Sequence, residues 1–135
     1  MAITVIGSIA IDNVETPFEK TGDVLGGSAT YFSMAASFLS DVKIVGTVGK
    51  DFDKKHLNIF KNRSIDIKNI KTEEGKTFRW KGRYGYDMSD PQTIMTELGV
   101  FSSFKPVVPH NSKNDMLFLA NIDPEIQFDA LKQMN

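Results

Sequence analysis

Three short apolar runs constrain this chain more than any other feature. Ile3-Thr4-Val5-Ile6-Gly7, Val42-Lys43-Ile44-Val45-Gly46-Thr47-Val48-Gly49 and Asp115-Met116-Leu117-Phe118-Leu119-Ala120-Asn121 are nearly continuous in apolar or β-branched residues. Runs of that length without strict alternation read as strands covered on both faces, as in parallel sheets. A shorter strand is marked by Ile65, Ile67 and Ile70. Helix-forming stretches separate these runs. One extends from Gly26-Gly27 to about Leu39, one runs to about Asn62 behind a capping Asp51 or Asp53, and one spans Pro124 to Met134. This alternation predicts an α/β layer fold.

The totals narrow the function classes. At 135 residues, 41% hydrophobic and 24% charged, the sequence suits one globular domain and not a disordered chain. It has no cysteine, which excludes disulfides and thiolate metal sites. His56 and His110 are too few and too far apart to suggest a metal cluster, so no metal ligand is expected. No basic segment followed by a long apolar run opens the chain, and no run nears the ~20 residues of a membrane span. Cytoplasmic location is the default expectation, with no membrane partner. Net charge is −1, but it is uneven: Lys50 to Arg83 holds 11 Lys/Arg against 5 Asp/Glu. Such a segment can face an anion or a nucleic acid; solvated element faces are the more frequent explanation, and nucleic acid is not the expected partner.

Candidate site residues gather around the first helix. Two glycines, Gly26 and Gly27, let the backbone turn tightly and let another molecule approach it closely. Ser28 is placed to cap the helix, with the first N–H groups pointing back towards whatever lies on the glycines. The same pattern also suits an ordinary core helix, with Phe32, Ala35, Ala36 and Leu39 along it. Asp12 follows the first strand, where ligands collect in open α/β sheets, and a carboxylate there can accept two hydroxyl hydrogens. A turn or capping role fits Asp12 as well. Asp123 ends the last strand in the same way, so two carboxylates and the glycine doublet are expected on one rim.

Thr77 to Tyr86 breaks the strand–helix rhythm. Phe78, Trp80, Tyr84 and Tyr86 share one parity, and Thr77, Arg79, Lys81 and Arg83 share the other. With a two-residue period, one strand face is aromatic and the other cationic. A strand buried on both faces could not carry three cations without large desolvation costs. The expectation is a half-exposed, antiparallel-type strand outside the parallel layer, with Thr93 to Phe101 pairing back onto it. Glu19 to Leu25 is expected to be extended or turn-like. Exposed aromatics favour a lid or an oligomer contact over a decorative hairpin.

The order of these motifs resembles a known family. Gly7-Ser8-Ile9 with Asp12, then Gly26-Gly27-Ser28-Ala29 opening an Ala-rich helix, then Val48-Gly49-Lys50-Asp51, is similar to the start of a ribokinase-like carbohydrate kinase of the PfkB type. Gly75-Lys76-Thr77-Phe78-Arg79-Trp80 and Asn121-Ile122-Asp123-Pro124-Glu125 resemble that family's lid strand and fourth strand end. The resemblance implies a three-layer αβα ribokinase-like sheet, here incomplete, with a small β lid from segments about 9–25 and 75–103. It implies transfer of a phosphoryl group from ATP, with Mg²⁺, to a sugar or nucleoside hydroxyl in the complete protein. It places Asp12 on substrate hydroxyls, Gly26, Gly27 and Ser28 against the sugar, and Asp123 and Arg79 near it. Tyr31 stands where the family usually has Asn, and Ala10 where another polar residue is frequent, which suggests a substrate other than ribose. The family's second signature, Asp-Thr-x-Gly-Ala-Gly-Asp, carries the catalytic base and phosphate-binding main chain and is missing from this sequence. The expectation is therefore the N-terminal, substrate-binding part of such a kinase, with no catalytic residue and no ATP or Mg²⁺ bound by these residues alone. A non-catalytic binding module, or a homodimer formed through the lid, is the alternative.

Overall fold

The computed structural model describes residues 1–134 and distributes their strands between two four-stranded sheets. Strand β1 (Ile3–Ile6) lies between β4 (Val42–Gly49) and β8 (Met116–Leu119), and β5 (Asp66–Glu73) borders β4 on the outside. All pairings in this large sheet are parallel, with Ile3 opposite both Val42 and Met116. Helices α1 (Ser28–Ala36) and α2 (Lys54–Asn62) cover one face, and α3 (Pro124–Lys132) covers the other. The expected three-layer α/β arrangement is present.

Side-chain alternation divides the core between the two faces. Val5, Val42, Ile44 and Val48 pack with Ala29 and Ala36 of α1 and Phe60 of α2. Ile6 and Val45 point the other way, against Phe104, Val108 and Ala130. Phe32 of α1 stacks on Phe118 of β8 with ring centroids 3.4 Å apart, tying the helix layer to the edge strand. Asp53 caps α2 by accepting the Lys55 N–H at 2.9 Å. Pro124 supplies the first turn of α3. No helix among the described residues is long and apolar enough to cross a membrane.

The small sheet has the order β3-β2-β6-β7, from β3 (Lys20–Gly26), β2 (Ala10–Glu15), β6 (Phe78–Arg83) and β7 (Gln92–Glu97). Glu19 to Leu25 is thus mostly a true strand. The Thr77–Tyr86 segment does leave the parallel layer and pair back antiparallel onto β7, but it also runs parallel to β2, which an antiparallel reading missed. Helix α1 closes at Ala36, three residues short of the expected end, where Phe38 and Leu39 donate to the Ala35 and Ala36 carbonyls only three residues back and tighten the turn. Strand β5 runs on to Glu73 along the full length of β4, beyond the Ile65–Ile70 signal.

A buried polar cluster locks the rim where β1, β4 and β8 begin. Asp115 accepts from the Ala2 N–H at 3.0 Å, the Thr4 hydroxyl at 2.9 Å and the Lys43 ammonium at 2.8 Å. Burial pushes its carboxyl up, but Lys43 and the two hydrogen bonds outweigh this and hold it at about 2. The folded value lies below the ordinary 3.8, so the contribution is complete above about pH 4 and lost as pH falls towards 2. Asp115→Asn is expected to flatten the acid limb of stability in urea titrations between about pH 2 and pH 5. Phe60, fully buried between α2 and the sheet, is expected to cost about 3–5 kcal/mol when replaced by Ala, read from the denaturation midpoint.

Candidate functional site

The chain returns to the end of β1 from two directions, and Ser8 joins them. The Ser8 carbonyl accepts the Ala29 N–H at 3.0 Å, and its Oγ accepts the Ser28 N–H at 2.9 Å. Gly27, not Ser28, occupies the cap position of α1, with φ +97°. A Cβ on Gly27 would collide with the Ser8 carbonyl oxygen, so both its left-handed conformation and its surroundings require glycine. Ser28 is the first helical residue, and its hydroxyl lies 3.0 Å from that of Ser8 and donates to the Asn121 carbonyl at 3.3 Å. The capping role expected for Ser28 is therefore filled from outside the helix. Two of the first helical N–H groups are used by Ser8 and do not face the glycines.

Asp12 lies in the middle of β2, in the small sheet, and not simply beyond the tip of β1. Its carboxylate rests directly over Gly26, where any Cβ would displace it. Burial pushes the Asp12 carboxyl up, and the Gly27 backbone N–H opposes this. The carboxylate and the glycine doublet thus form one surface, as the sequence suggested. Tyr31, on the first turn of α1, is 60% exposed beside it. Partial burial raises the Tyr31 phenol first, and the negative charge of Asp12 and the phenol of Tyr84 raise it further. Residues opposite one another in a ladder share a face, so Trp80, paired with Asp12, lies on the Asp12 side. Its indole covers Gly82 and its Nε1–H donates to the Thr93 hydroxyl at 3.3 Å.

Arg79 is elsewhere. It pairs in register with Ile11 and so lies on the opposite face from Asp12. There its guanidinium meets Asp23 at 2.8 Å and Asp51 at 3.4 Å, beside a polar cavity of about 200 Å³ that His56 also lines. Burial pushes the His56 imidazole down, and Lys55 adds to this. Asp123 caps α3 by accepting the Glu125 N–H at 2.8 Å. It is exposed two residues beyond Asn121, so it sits near the Ser28 end of the rim without touching the Asp12 surface through any hydrogen bond.

The cations of the middle segment are partly spoken for. Lys81 and Arg83 hold the buried Glu15 at 3.0 and 2.9 Å, and Lys81 first, then Arg83, keeps its carboxyl at about 2. Lys50 pairs with Glu74 and Lys76 with Glu97. Lys54, Lys61, Lys68 and Lys71 of the same segment form no ion pair among the described residues. Asp51, read as an alternative helix cap, instead binds the backbone N–H and hydroxyl of Thr77 at 2.8 and 2.7 Å. Among the described residues there is no group of three His, Asp or Glu able to hold a metal ion.

No protein-family model and no curated protein sequence matches the chain. Solved structures do. A nucleoside kinase of Methanocaldococcus jannaschii, described as an archaeal member of the ribokinase family, superimposes on 98% of this chain with a TM-score of 0.75 and 19% identity. The fold is ribokinase-like. A fructokinase of Halothermothrix orenii matches all of the chain with a TM-score of 0.71 and 16% identity, over 52% of its own length. A ribokinase of Cryptococcus neoformans in complex with ADP matches 87% with a TM-score of 0.68 and 18% identity, over 41% of its length. The chain spans 49% of the archaeal nucleoside kinase, about half of a ribokinase-like structure. In titrations followed by carboxyl NMR, Asp12 is expected above the ordinary 3.8, and Gly26→Ala is expected to return it towards that value by driving the carboxylate into solvent.

Proposed function

We propose that this chain is the substrate-holding part of an ATP-dependent carbohydrate kinase, and that the Asp12 surface takes adjacent hydroxyls of a sugar or nucleoside. The observation that supports this is the half-buried Asp12 carboxylate lying over Gly26 beside the Gly27 N–H. An ionised carboxylate only accepts hydrogen bonds, and its two oxygens can take two hydroxyl donors at once. Gly26 and Gly27 keep side chains out of that space, so a ligand ring can approach the main chain. Tyr31, Tyr84 and Trp80 add aromatic surface on the same side, which favours a nucleoside base or the apolar face of a sugar ring. Asp123 contributes through its free oxygen at the neighbouring rim. The small sheet, with Asp12 on one strand and Trp80 on the next, serves as the lid over this space.

We assign no contact with ATP or Mg²⁺ to the described residues. They hold no metal-ligand cluster, and the Asp-Thr-x-Gly-Ala-Gly-Asp phosphate motif is missing from the sequence. Phosphoryl transfer depends on positioning and charge stabilisation by such groups, so no catalytic step is assigned to these residues. A second reading, a dimerisation module, is favoured by one feature. Phe18 and Tyr86 form an edge-to-face pair 5.9 Å apart at the tip of the small sheet while 75% and 82% exposed.

Trp80 is the single tryptophan, so its fluorescence reports on ligands placed against Asp12. Titration with inosine, adenosine, ribose and fructose is expected to show saturable binding of at least one. Asp12→Asn is expected to weaken that binding by roughly 10- to 100-fold, the loss of charge-assisted hydrogen bonds. A coupled assay for ADP is expected to show no turnover. Absence of binding across the whole set would overturn the proposal, and sedimentation that finds a dimer abolished by Phe18→Ser and Tyr86→Ser would support the second reading.

A further inference from the structure

We infer that Arg79 is a positioning residue: bridging Asp51, in the turn after β4, and Asp23 of the small sheet, it latches that sheet at the angle which sets Asp12 over the ligand space. The small sheet leaves the large one next to the end of β4, and the crossing at Gly75–Thr77 is tightly pinned. The Lys50 N–H binds the Gly75 carbonyl at 3.2 Å, and Gly49 has no room for a Cβ against that same oxygen. The Val100 N–H binds the Lys76 carbonyl at 2.9 Å. Thr77 is fully buried; its hydroxyl accepts the Gly49 N–H at 3.0 Å and donates to Asp51 Oδ1 at 2.7 Å. These bonds make a pivot.

Arg79 lies two residues outward from the pivot on the same strand face. Its Nη2 reaches Asp51 Oδ2, the oxygen that the pivot leaves over, and its Nη1 reaches Asp23 Oδ2. Asp23 belongs to β3, two strands away across Ile11 of β2. One guanidinium therefore spans the width of β2, joins its two neighbours and fastens both to the turn that follows β4. The planar fork of donors suits such a bridge, and a single ammonium cannot reproduce it. Asp12 and Trp80 stand at the next positions of the same strands, on the opposite face. A rotation of the sheet about the pivot must carry them with it.

The exposures fit a releasable contact. The Arg79, Asp23 and Asp51 side chains are 28%, 55% and 31% exposed, and ion pairs of that kind are individually weak. The small sheet is also held by apolar contacts, Leu25 on the main core and Phe78 stacked on Phe101, so breaking the bridge is expected to loosen its angle without detaching it or unfolding the core.

The test uses the full chain, with hydrogen exchange and Trp80 fluorescence as readouts. In Arg79→Met, amides of β2, β3, β6 and β7 are expected to exchange faster by on the order of fivefold, with β1 and β4 unchanged. Arg79→Lys is expected to restore part of the protection, and the exchange Arg79→Asp with Asp23→Arg more of it than Arg79→Asp alone. The link to Asp12 rests on the proposed function, and whichever sugar or nucleoside the native chain binds is expected to bind Arg79→Met several-fold more weakly. Unchanged exchange in the small sheet, or faster exchange spread equally into β1 and β4, would overturn the latch. Weaker binding with unchanged exchange would also overturn it, by making Arg79 a direct ligand contact. A native chain that binds none of the compounds defeats the proposed function alone, and the exchange pattern still decides the latch.

Discussion

The structure depends on one close approach, between the backbone at Ser8 and the backbone at Gly27. Ser8 gives its carbonyl and its hydroxyl to the first N–H groups of α1, and Gly27 turns at φ +97° with no space for a side chain. Four elements meet there: β1 ends, β2 departs, β3 returns and α1 begins. A helix whose first donors are satisfied by the preceding strand needs no capping side chain of its own. Ser28 is thereby released to bridge across to Asn121 after β8, which brings a third strand end to the same rim. The position of Asp12 over Gly26 follows from this closure, because β2 and β3 are the two arms leaving it.

The small sheet has two chemically different faces, and the structure uses them for different purposes. On one face the charges are consumed internally. Glu15 gathers Lys81 and Arg83, and Arg79 is shared by Asp23 and Asp51. Enclosing a carboxylate such as Glu15 is tolerable only with cations in contact, so these pairs are a condition for packing the strands as they are. On the other face stand Asp12 and Trp80, with Tyr31 of α1 nearby. That face thus presents a carboxylate with spare acceptor capacity beside aromatic surface, whereas the charges of the opposite face are already paired.

Much of the architecture was legible because it rests on local patterns. The apolar runs at Ile3 and Val42 became parallel strands, Asp53 and Pro124 opened helices where their backbone preferences put them, and the alternation through Phe78–Arg83 separated aromatic from cationic side chains. Asp12, Gly26 and Gly27 came together as expected. Arg79 did not join them, and Asp123 stands at the neighbouring Ser28 end of the rim. A strand's sequence shows which residues share a face but not which face meets the ligand space, and Asp123 follows a strand end yet spends one oxygen on its own helix. The bond between Thr77 and Asp51 went unread because it spans 26 residues and no periodicity encodes it.

The sequence by itself determined the α/β class and the order of the main strands and helices, since each follows from side-chain period, β-branching and the backbone preferences of capping residues. Only the tertiary structure decided that β6 lies parallel to β2, that Ser8 replaces Ser28 as the cap, and that Arg79 and Asp12 stand on opposite faces of the small sheet. Those outcomes depend on which distant segments share hydrogen bonds and on which charges can be buried together, and such pairings exist only once the chain has closed.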